Sequence, residues 1–353
     1  FTLAQGLPRR VRMTISTDPV VGVDVGASTI SAGLVCPDGT ILTTAQAPAQ
    51  GGGAVVDTIL ALIDRALASA ALRRLRVAGI GVGLPGLVEV EKGLMRSMPF
   101  AWLTDLGDVP LAAVIRERSG LPVFVDNDVN ALALGEWMFG LGQGASSLVT
   151  VAIGTGMGGG LILDGRLVRG RLNSAGEIGH LAVGLTGPRC VCGGTGCLAT
   201  YVAGGMMSER ARERLARYPD SAVLARAGGD LERITSVVLF EEAAGGDPLA
   251  RAVVDEACEA LAIGVGALVN LLGPEIIVIT GGVAASLAPL QDDIMRRVRR
   301  RALGAALDAT TVRVVPADKR GTVRGGAALV LYEMARRAQD IPTYPLPSGE
   351  RAG

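Results

Sequence analysis

The sequence predicts an α/β protein of two lobes that repeat one plan, with a cleft between the copies. The chain has 353 residues, which is about two to three times the usual 100–200 residues of a domain. Two segments, starting at Val20 and Leu148, each follow the pattern strand, glycine-bearing loop, strand, tight turn, strand. Helix patterns and further buried strands follow both segments, as expected for a duplicated α/β unit.

Composition excludes several classes of protein. Hydrophobic residues make up 49% of the chain and charged residues 19%, which excludes an intrinsically disordered protein. The 34 basic and 34 acidic side chains give no net charge, so a nucleic acid or an anionic membrane would need a local patch. The uncharged stretch Trp137–Leu163 is interrupted by many glycines, which argues against a transmembrane helix. We therefore expect no membrane partner.

The cysteines and the first residues indicate a compartment. Five cysteines are too few and too clustered for a disulfide framework in a chain of this size. Phe1–Val11 lacks the basic stretch and apolar core of a secretory signal. We therefore expect a protein of the reducing cytoplasm.

Helix and strand patterns alternate after the first repeated segment. Val55–Ala70 has apolar residues at helical spacing, and Val77–Val82 predicts a buried parallel strand. Leu111–Ser119 predicts a second helix, and the strand Val123–Val125 and a helix from about Ala131 follow it.

The second half continues in the same way. Asp247–Leu272 predicts a long apolar helix, Ile276–Ile279 a strand and Leu329–Arg337 the last helix. The arginines of 296–301 are more typical of a solvated helix face than of a nucleic-acid contact. The expected parts are an N-terminal extension or linker at 1–19, a smaller N-terminal α/β lobe at 20–130, a larger α/β lobe with a cysteine loop at 131–325, a C-terminal helix at 326–340 and a tail at 341–353.

The sharpest motif joins three cysteines to the only histidine of the chain. His180 precedes Cys190 by ten residues, and Cys192 and Cys197 follow within the same glycine-rich loop. Three thiolates and one imidazole make the closed tetrahedral set that a structural zinc prefers, and the glycines let a short loop wrap the ion. The alternative is a group of buried free thiols beside a core histidine.

The glycine-bearing loops of the two repeated segments predict a phosphate site. Gly154–Gly159 matches G-x-G-x-x-G, but a dinucleotide fingerprint needs a helix directly afterwards, whereas Gly160–Leu163 has a strand pattern. A Walker A motif is excluded because neither Lys92 nor Lys319, the two lysines, lies in one. Instead, loop N–H groups and hydroxyls can surround a polyphosphate, with Asp24 holding a metal-bound water. Ordinary hairpin turns are the alternative. The loop residues concerned are Gly26, Ala27, Ser28, Gly154, Thr155 and Gly156.

Polar residues follow the strand Val123–Val125, at the position where α/β sheets place ligand sites. In the run Asp126-Asn127-Asp128, a carboxylate can accept the proton of an attacking hydroxyl, and an adjacent amide can orient that hydroxyl. The alternative is an Asx-rich turn that caps the next helix.

Taken together, these motifs resemble the ROK family (repressors, open reading frames, kinases) of the actin/hexokinase-like ATPase superfamily. The resemblance covers residues 20–335, and its most specific part is the spacing H-x9-C-x-C-G-x-x-G-C. It implies a duplicated actin-like or ribonuclease H-like ATPase fold with two lobes and a central cleft. It also implies a homodimer or higher homo-oligomer that phosphorylates a sugar, a hexose or N-acylhexosamine, with Mg-ATP, in a glucokinase-like reaction at C6.

The resemblance implies roles for single residues. Asn127 and Asp128 match the sugar-binding amide and the catalytic base, and Glu177 and His180 match the sugar contacts of the family's G-E-x-G-H motif. The residues implied to bind ATP and Mg²⁺ are Asp24, Gly26, Ser28, Gly154, Thr155, Gly156, Gly281 and Gly282. The implied ligands of a structural Zn²⁺ are His180, Cys190, Cys192 and Cys197.

Two positions depart from the family pattern. Family kinases usually continue the zinc loop as C-x-E, where this chain has Ala199, and they commonly carry an asparagine where it has Pro99. Losing a carboxylate and an amide predicts a different substrate or weak turnover.

The alternative class is a sugar-sensing repressor of the same family. Such repressors have an N-terminal helix-turn-helix domain and then a linker that resembles Gly6–Arg12. The retained base and both phosphate motifs favour the kinase. A nucleic acid is expected as a partner only if an upstream DNA-binding domain exists.

Overall fold

The computed structural model describes residues 17–49, 55–97, 106–107, 109–318 and 321–338. Most of the predicted N-terminal extension, the substitution at Pro99 and the C-terminal tail at 341–353 lie outside these residues. Within the described residues, no helix combines the length and the apolar character needed to span a bilayer.

Strands and helices alternate along the described chain. The strands are β1 (Val20–Val25), β2 (Thr29–Val35), β3 (Ile41–Pro48), β4 (Ile80–Leu84), β5 (Leu87–Glu89), β6 (Leu94–Ser97), β7 (Val123–Asn127), β8 (Leu148–Ile153), β9 (Met157–Leu163), β10 (Arg166–Leu167), β11 (Ile276–Thr280) and β12 (Thr311–Val314). The helices are α1 (Val55–Leu72), α2 (Leu111–Ser119), α3 (Asp128–Phe139), α4 (Ala199–Val202), α5 (Gly204–Arg214), α6 (Val223–Arg226), α7 (Ser236–Gly245), α8 (Pro248–Leu272), α9 (Ala284–Leu287), α10 (Gln291–Val298), α11 (Gly304–Asp308) and α12 (Thr322–Ala338).

Two five-stranded sheets repeat the same plan. The first has the order β3-β2-β1-β4-β7, and the second has the matching order β10-β9-β8-β11-β12. In the first sheet, β1, β2 and β3 form an antiparallel meander, whereas β4 and β7 extend the sheet in parallel with β1. In the second, β9 and β10 pair antiparallel, and β11 and β12 pair parallel. The predicted duplicated α/β plan is confirmed.

Each face of β1 packs against a different layer. Val21, Val23 and Val25 join a buried apolar cluster with residues of α1 and α2, including Ile59 and Ile63 of α1. Because side chains alternate along a strand, the residues between these valines point to the other face, where α12 packs on β1 and β4. Asp24 therefore lies on the side of the sheet that α12 covers.

Three elements begin earlier than the sequence patterns predicted. α3 begins at Asp128 rather than near Ala131, because Asn127 caps it, and β9 begins at Met157, inside the predicted loop. α12 begins at Thr322, well before the predicted start at Leu329.

The first turns of α12 contain glycines, and glycine disfavours a helix when the sequence is considered alone. In the structure they let α12 lie directly on the first sheet. A Cβ added to Gly81 on β4 would collide with the carbonyl oxygen of Gly326 in the helix. The close approach of helix and sheet therefore requires glycine on both sides.

The chain forms two compact units. The first contains the described residues up to Leu148, Gly160–Gly176 and those from Asp318 onward. The second contains Val149–Gly159 and Glu177–Ala317. This division differs from the predicted boundary at residue 130, because α3 packs against α12 and α12 packs on the first sheet. The last helix, which the sequence left unassigned to a lobe, belongs to the first unit.

The arginine-rich run at 296–301 forms ion pairs within the second unit. Arg297 contacts Asp255 at 3.0 Å and Asp293 at 2.9 Å, and Arg301 pairs with Glu259. These pairs agree with the predicted solvated helix face.

Candidate active site

Asp24 and Asp126 lie at the same edge of the first sheet, one strand apart. The register pairs Asp24 with Gly83 and Gly83 with Asp126. Because β1, β4 and β7 are parallel, their carboxyl ends meet at one edge, where open α/β sheets place ligand sites. The glycine loop after β1 and the polar run Asp126-Asn127-Asp128 at the end of β7 therefore share this edge.

Asn127 is the N-cap residue of α3. Its side-chain oxygen accepts hydrogen bonds from the backbone N–H groups of Val129 (2.9 Å) and Asn130 (3.1 Å), and its amide nitrogen donates to the carbonyl of Gly86 (3.1 Å). Both lone pairs of the oxygen are thus used, and one amide hydrogen is left over among the described residues. The Asx-cap interpretation is therefore correct for the oxygen, and the same side chain retains one donor for a ligand.

Asp128 is the first residue of α3 and is half-buried. Its Oδ1 accepts a hydrogen bond from the backbone N–H of Val129 at 2.9 Å. The exposed N–H groups in the first turn of a helix stabilise negative charge. The Asp128 carboxylate is therefore held at the start of α3, directly after Asn127.

Asp24 occupies a partly buried position beneath the start of α12. Burial raises the pKa of Asp24 to about 6, and a hydrogen bond with the Thr322 side chain opposes this shift. A neighbouring cation stabilises the ionised form of such a carboxylate. Asp24 is therefore a carboxylate that could take part in holding a cation.

The first glycine loop is a tight connection between β1 and β2. The Gly26 N–H donates to the carbonyl of Thr29 at 3.0 Å, and the Ser28 carbonyl accepts from the N–H of Ala49 at 3.1 Å. Ala27 and Ser28 are exposed. The loop thus offers accessible polar groups at the same sheet edge as Asp24.

The second glycine loop, Gly154–Gly156, lies beside the loop Gly281–Gly282 that follows β11. The Ile153 carbonyl accepts from the N–H of Val283 at 3.0 Å, which joins the two loops. Gly281 has a φ of +104°, and a Cβ there would run into the backbone of Ile153, so this position requires glycine. The structure therefore brings together the two segments that the family resemblance assigns to the nucleotide.

Sequence reasoning missed a third segment at this place, the beginning of α5. The carbonyl of Gly154 accepts from the N–H of Gly204 at 2.9 Å, and a Cβ added to Gly205 would lie 3.4 Å from the carbonyl of Thr155. The signal in the sequence was the glycine pair that opens α5: a Cβ at Gly204 would lie 2.9 Å from Ser236 Oγ and 3.3 Å from the Gly154 carbonyl oxygen, so the close approach favours glycine there.

Glu177 precedes a single turn of 3₁₀-helix, Ile178–His180, and His180 is the last residue of that turn. Both side chains are accessible, with 47% and 38% of their surface exposed, and Glu177 Oε2 lies 3.9 Å from His180 Nε2. The other ring nitrogen, His180 Nδ1, lies 3.4 Å from the sulfur of Cys190. The imidazole therefore connects Glu177 with the cysteine loop.

The four predicted zinc ligands converge. One donor atom from each of His180, Cys190, Cys192 and Cys197 lies within 4.8 Å of the other three. A tetrahedral zinc with Zn–S of about 2.3 Å and Zn–N of about 2.0 Å holds two sulfurs about 3.8 Å apart, and a sulfur and a nitrogen about 3.5 Å apart. The sulfurs of Cys192 and Cys197 are 3.7 Å apart, and the Cys190–His180 distance is 3.4 Å. The donor set therefore fits zinc in both spacing and chemistry.

The state of the thiols agrees with a metal site. All five cysteines are free, and the exposure of His180 argues against the alternative of a core histidine. The backbone N–H of Gly194, together with Cys190 and Cys197, lowers the pKa of Cys192 to about 7. The thiolate of Cys192, which is the form that binds metals, is thus accessible near neutral pH, whereas burial raises the pKa of Cys197 to about 12.

The candidate residues are divided between the two units. The first unit carries Asp24, Gly26, Ser28, Asn127 and Asp128. The second unit carries Gly154, Thr155, Gly156, Glu177, His180, Cys190, Cys192, Cys197, Gly281 and Gly282.

Known proteins resemble this chain over nearly its whole length. The model of the ROK family matches residues 20–333. A glucokinase from Halalkalibacterium halodurans is 34% identical over 318 residues, which cover 88% of this chain and 94% of that protein. A xylose repressor from Caldicellulosiruptor bescii is 28% identical over 338 residues, which cover 94% of this chain and 83% of the repressor.

A solved structure has the same architecture. The ROK family glucokinase from Streptomyces griseus, determined in complex with glucose and AMPPNP, superposes with a TM-score of 0.70 at 32% identity. The superposition covers 90% of this chain and 99% of the glucokinase. Similarity of this extent reaches both repeated segments and the cysteine loop.

Proposed function

The chain belongs to the ROK family, and from that premise we propose that it is a sugar kinase that uses Mg-ATP. Its duplicated actin-like ATPase fold is that of solved ROK sugar kinases. In the finer form of the proposal, the acceptor is a hydroxyl of a hexose or N-acylhexosamine, at C6 in a glucokinase-like reaction, and Asp128 is the general base.

One observation carries this proposal. Asp128 follows Asn127 at the carboxyl edge of the first sheet, and Asp24 lies at that edge on a parallel strand. A proton acceptor, a donor amide and a carboxylate suited to a cation thus belong to one unit. Phosphoryl transfer to an alcohol needs these three functions.

The proposed step is a direct transfer of the γ-phosphoryl group of ATP. The sugar hydroxyl oxygen attacks the γ-phosphorus while Asp128 takes up the hydroxyl proton. A phosphorus–oxygen bond to the sugar forms, the bond between the γ-phosphorus and the ADP oxygen breaks, and the proton later passes to solvent. A positioned base contributes about 10²–10⁴-fold to the rate.

The nucleotide would be held by groups on both repeated loops. Backbone N–H groups and the Ser28 and Thr155 hydroxyls are the donors proposed for the phosphates. Mg²⁺, when bound, neutralises the charge that develops on the phosphates, and Asp24 is the residue proposed to hold it through water.

Three side chains are proposed to orient the sugar. Asn127 offers its remaining amide hydrogen, and Glu177 offers a carboxylate that accepts from a hydroxyl. If Nδ1 of His180 were bound to zinc, the ring proton would reside on Nε2, and this nitrogen would be a donor to the sugar. The zinc is proposed to fix the orientation of the histidine.

Ala199 bears on the choice of sugar. It begins α4 beside the turn that carries Glu177 and His180, because a Cβ placed at Gly179 would lie 3.3 Å from its methyl group. A carboxylate at this position, as family kinases usually have, would accept a further sugar hydroxyl. We propose that this chain therefore binds its acceptor with fewer hydrogen bonds.

The second candidate function is that of a sugar-sensing regulator. The alignment with the xylose repressor over 94% of this chain favours it. A regulator needs sugar binding but no turnover, so the two functions differ in ADP release.

The test is incubation with Mg-ATP and a panel of glucose, mannose, fructose, glucosamine and N-acetylated hexosamines, with ADP release followed over time. We expect sugar-dependent ADP release with at least one member. Silence across the panel, together with sugar binding measured by calorimetry, would contradict the kinase and favour the regulator. Assembly as a homo-oligomer and a cytoplasmic location stay predictions.

A further inference from the structure

Asp126, directly before the proposed sugar-binding residues, is fully buried. Its Oδ1 accepts hydrogen bonds from the backbone N–H of Asn127 (2.7 Å) and from the side-chain amides of Asn130 (3.0 Å) and Asn173 (2.9 Å). Its Oδ2 accepts from Nε of Arg169 at 2.7 Å. Four donors thus hold this buried carboxylate in place, which fits a structural part better than direct contact with a substrate.

Arg169 is the cation that compensates the charge of this buried carboxylate. Its side chain is 13% exposed, and its Nη2 donates to Glu333 of α12 at 2.7 Å. Burial lowers the pKa of Arg169, but the charges of Asp126 and Glu333 outweigh this effect and raise the pKa above its ordinary value. The guanidinium therefore stays charged between two carboxylates.

Glu333 is buried as well, with 2% of its surface exposed, and its second oxygen accepts from Arg336 at 2.8 Å. Two carboxylates and two guanidinium groups thus alternate in one chain of contacts, and their charges balance. A charge-balanced arrangement avoids the large cost of an unpaired buried ion.

Tyr332, the neighbour of Glu333 on α12, makes two contacts that hold this chain of contacts in place. The hydroxyl of Tyr332, next to Glu333, accepts from the backbone N–H of Leu167 at 3.0 Å. The Tyr332 ring packs edge-on against Trp137 of α3, with ring centroids 6.5 Å apart. The segment that carries Arg169 and the helix that carries Glu333 are therefore both anchored to the body of the first unit.

We propose that Arg169 is a positioning residue for the phosphoryl transfer, acting through Asp126 on Asn127 and Asp128. This inference rests on the proposed kinase function and assigns a role to a side chain that touches neither sugar nor nucleotide. Without Arg169, Asp126 Oδ2 has to take up a proton or recruit water, since an unpaired buried carboxylate is costly. Either change moves the turn at the start of α3.

The test compares Arg169→Met with Arg169→Lys, which keeps the charge but loses the planar donor pair that reaches two carboxylates. The matched control is Arg118→Met, which breaks an exposed arginine–aspartate pair with Asp64 in the same unit. Steady-state kinetics use the best sugar of the panel, and kcat is expressed per folded molecule from melting curves.

We expect Arg169→Met to lower kcat by about 10²-fold, the effect of misplacing a reacting group by about 1 Å. The KM for the sugar should change less than kcat, Arg169→Lys should recover part of the loss, and Arg118→Met should match the wild type. Unchanged kcat per folded molecule in Arg169→Met would overturn the proposal, since a role in stability alone changes only the folded fraction. If neither Arg169 variant folds, Asp126→Asn, which removes the charge that Arg169 pairs with, is expected to lower kcat in the same direction, and an unchanged kcat would overturn the proposal.

A crystal structure of the Arg169 variant separates this proposal from the kinase function. If the wild-type protein releases no ADP with any sugar, the kinase function fails, but a displaced Asn127–Asp128 turn still supports the positioning role. An undisplaced turn contradicts it, whatever the activity.

Discussion

Replacing Cys192 by alanine removes one proposed zinc ligand with little other disturbance. Cys192 is exposed, so its sulfur fills no space in the core. Without a metal, the substitution is an ordinary surface change, which alters the free energy of unfolding by at most about 0.5 kcal/mol. Any larger effect therefore reports on the metal.

The magnitude with zinc follows from the loop between His180 and Cys197. A cross-link that closes a loop of about this size, roughly 15 residues, stabilises the folded state by about 3 kcal/mol through the lost freedom of the open chain. The zinc is also proposed to hold His180, which is a proposed sugar contact. We therefore expect the KM for the sugar to rise in Cys192→Ala.

The assay combines zinc content by mass spectrometry, urea unfolding and sugar kinetics. The matched control is Cys36→Ala, since Cys36 is a partly exposed free thiol outside the cluster. We expect one zinc per wild-type chain, one per Cys36→Ala chain and less in Cys192→Ala. A wild-type protein without zinc, or equal zinc content and equal unfolding midpoints in the two variants, would refute this reasoning.

Three further predictions concern single contacts. Gly81→Ala drives a methyl group into α12 and should lower the free energy of unfolding by about 1–3 kcal/mol, whereas Gly304→Ala, where the added Cβ meets open space, should leave the urea midpoint nearly unchanged. Asn127→Asp keeps the capping oxygen but loses the amide donor, so it should weaken sugar binding in calorimetry while costing less stability than Asn127→Ala, which loses a cap worth about 1 kcal/mol. Unchanged sugar affinity in Asn127→Asp would mean that the amide donor has no part in binding. Ala199→Glu restores an acceptor and should lower the KM of the best sugar; an unchanged KM across the panel would separate Ala199 from the sugar site.

The local parts of the candidate site were predictable because each lies in a short stretch of sequence. The zinc ligands occupy one loop and one turn, and polar residues directly after a buried strand predicted the sheet-edge position of Asn127 and Asp128. From the sequence, Asn127 was expected to be either the cap of the next helix or a sugar-binding amide. The structure shows the cap and leaves one donor over, because the oxygen and the nitrogen of one side chain face different partners.

The long-range parts were not predictable in this way. Arg169 contacts Asp126, which is 43 positions away in the sequence, and Glu333, which is 164 positions away. No periodicity in the sequence links residues so far apart. The start of α12 was missed for a similar reason. Gly326 weakens a helix considered alone, and only its contact with Gly81 on a distant strand explains why it is there.

The central claim is that Asp128 takes the proton of the sugar hydroxyl. The most direct test measures turnover with Mg-ATP and the best sugar for wild type and Asp128→Asn, with sugar affinity measured on both proteins by calorimetry. Asparagine keeps the oxygen that accepts from the Val129 N–H, so we expect the variant to fold and bind sugar. Its kcat should fall by about 10²–10⁴-fold, the contribution of a positioned base. Turnover retained at the wild-type level would contradict the account.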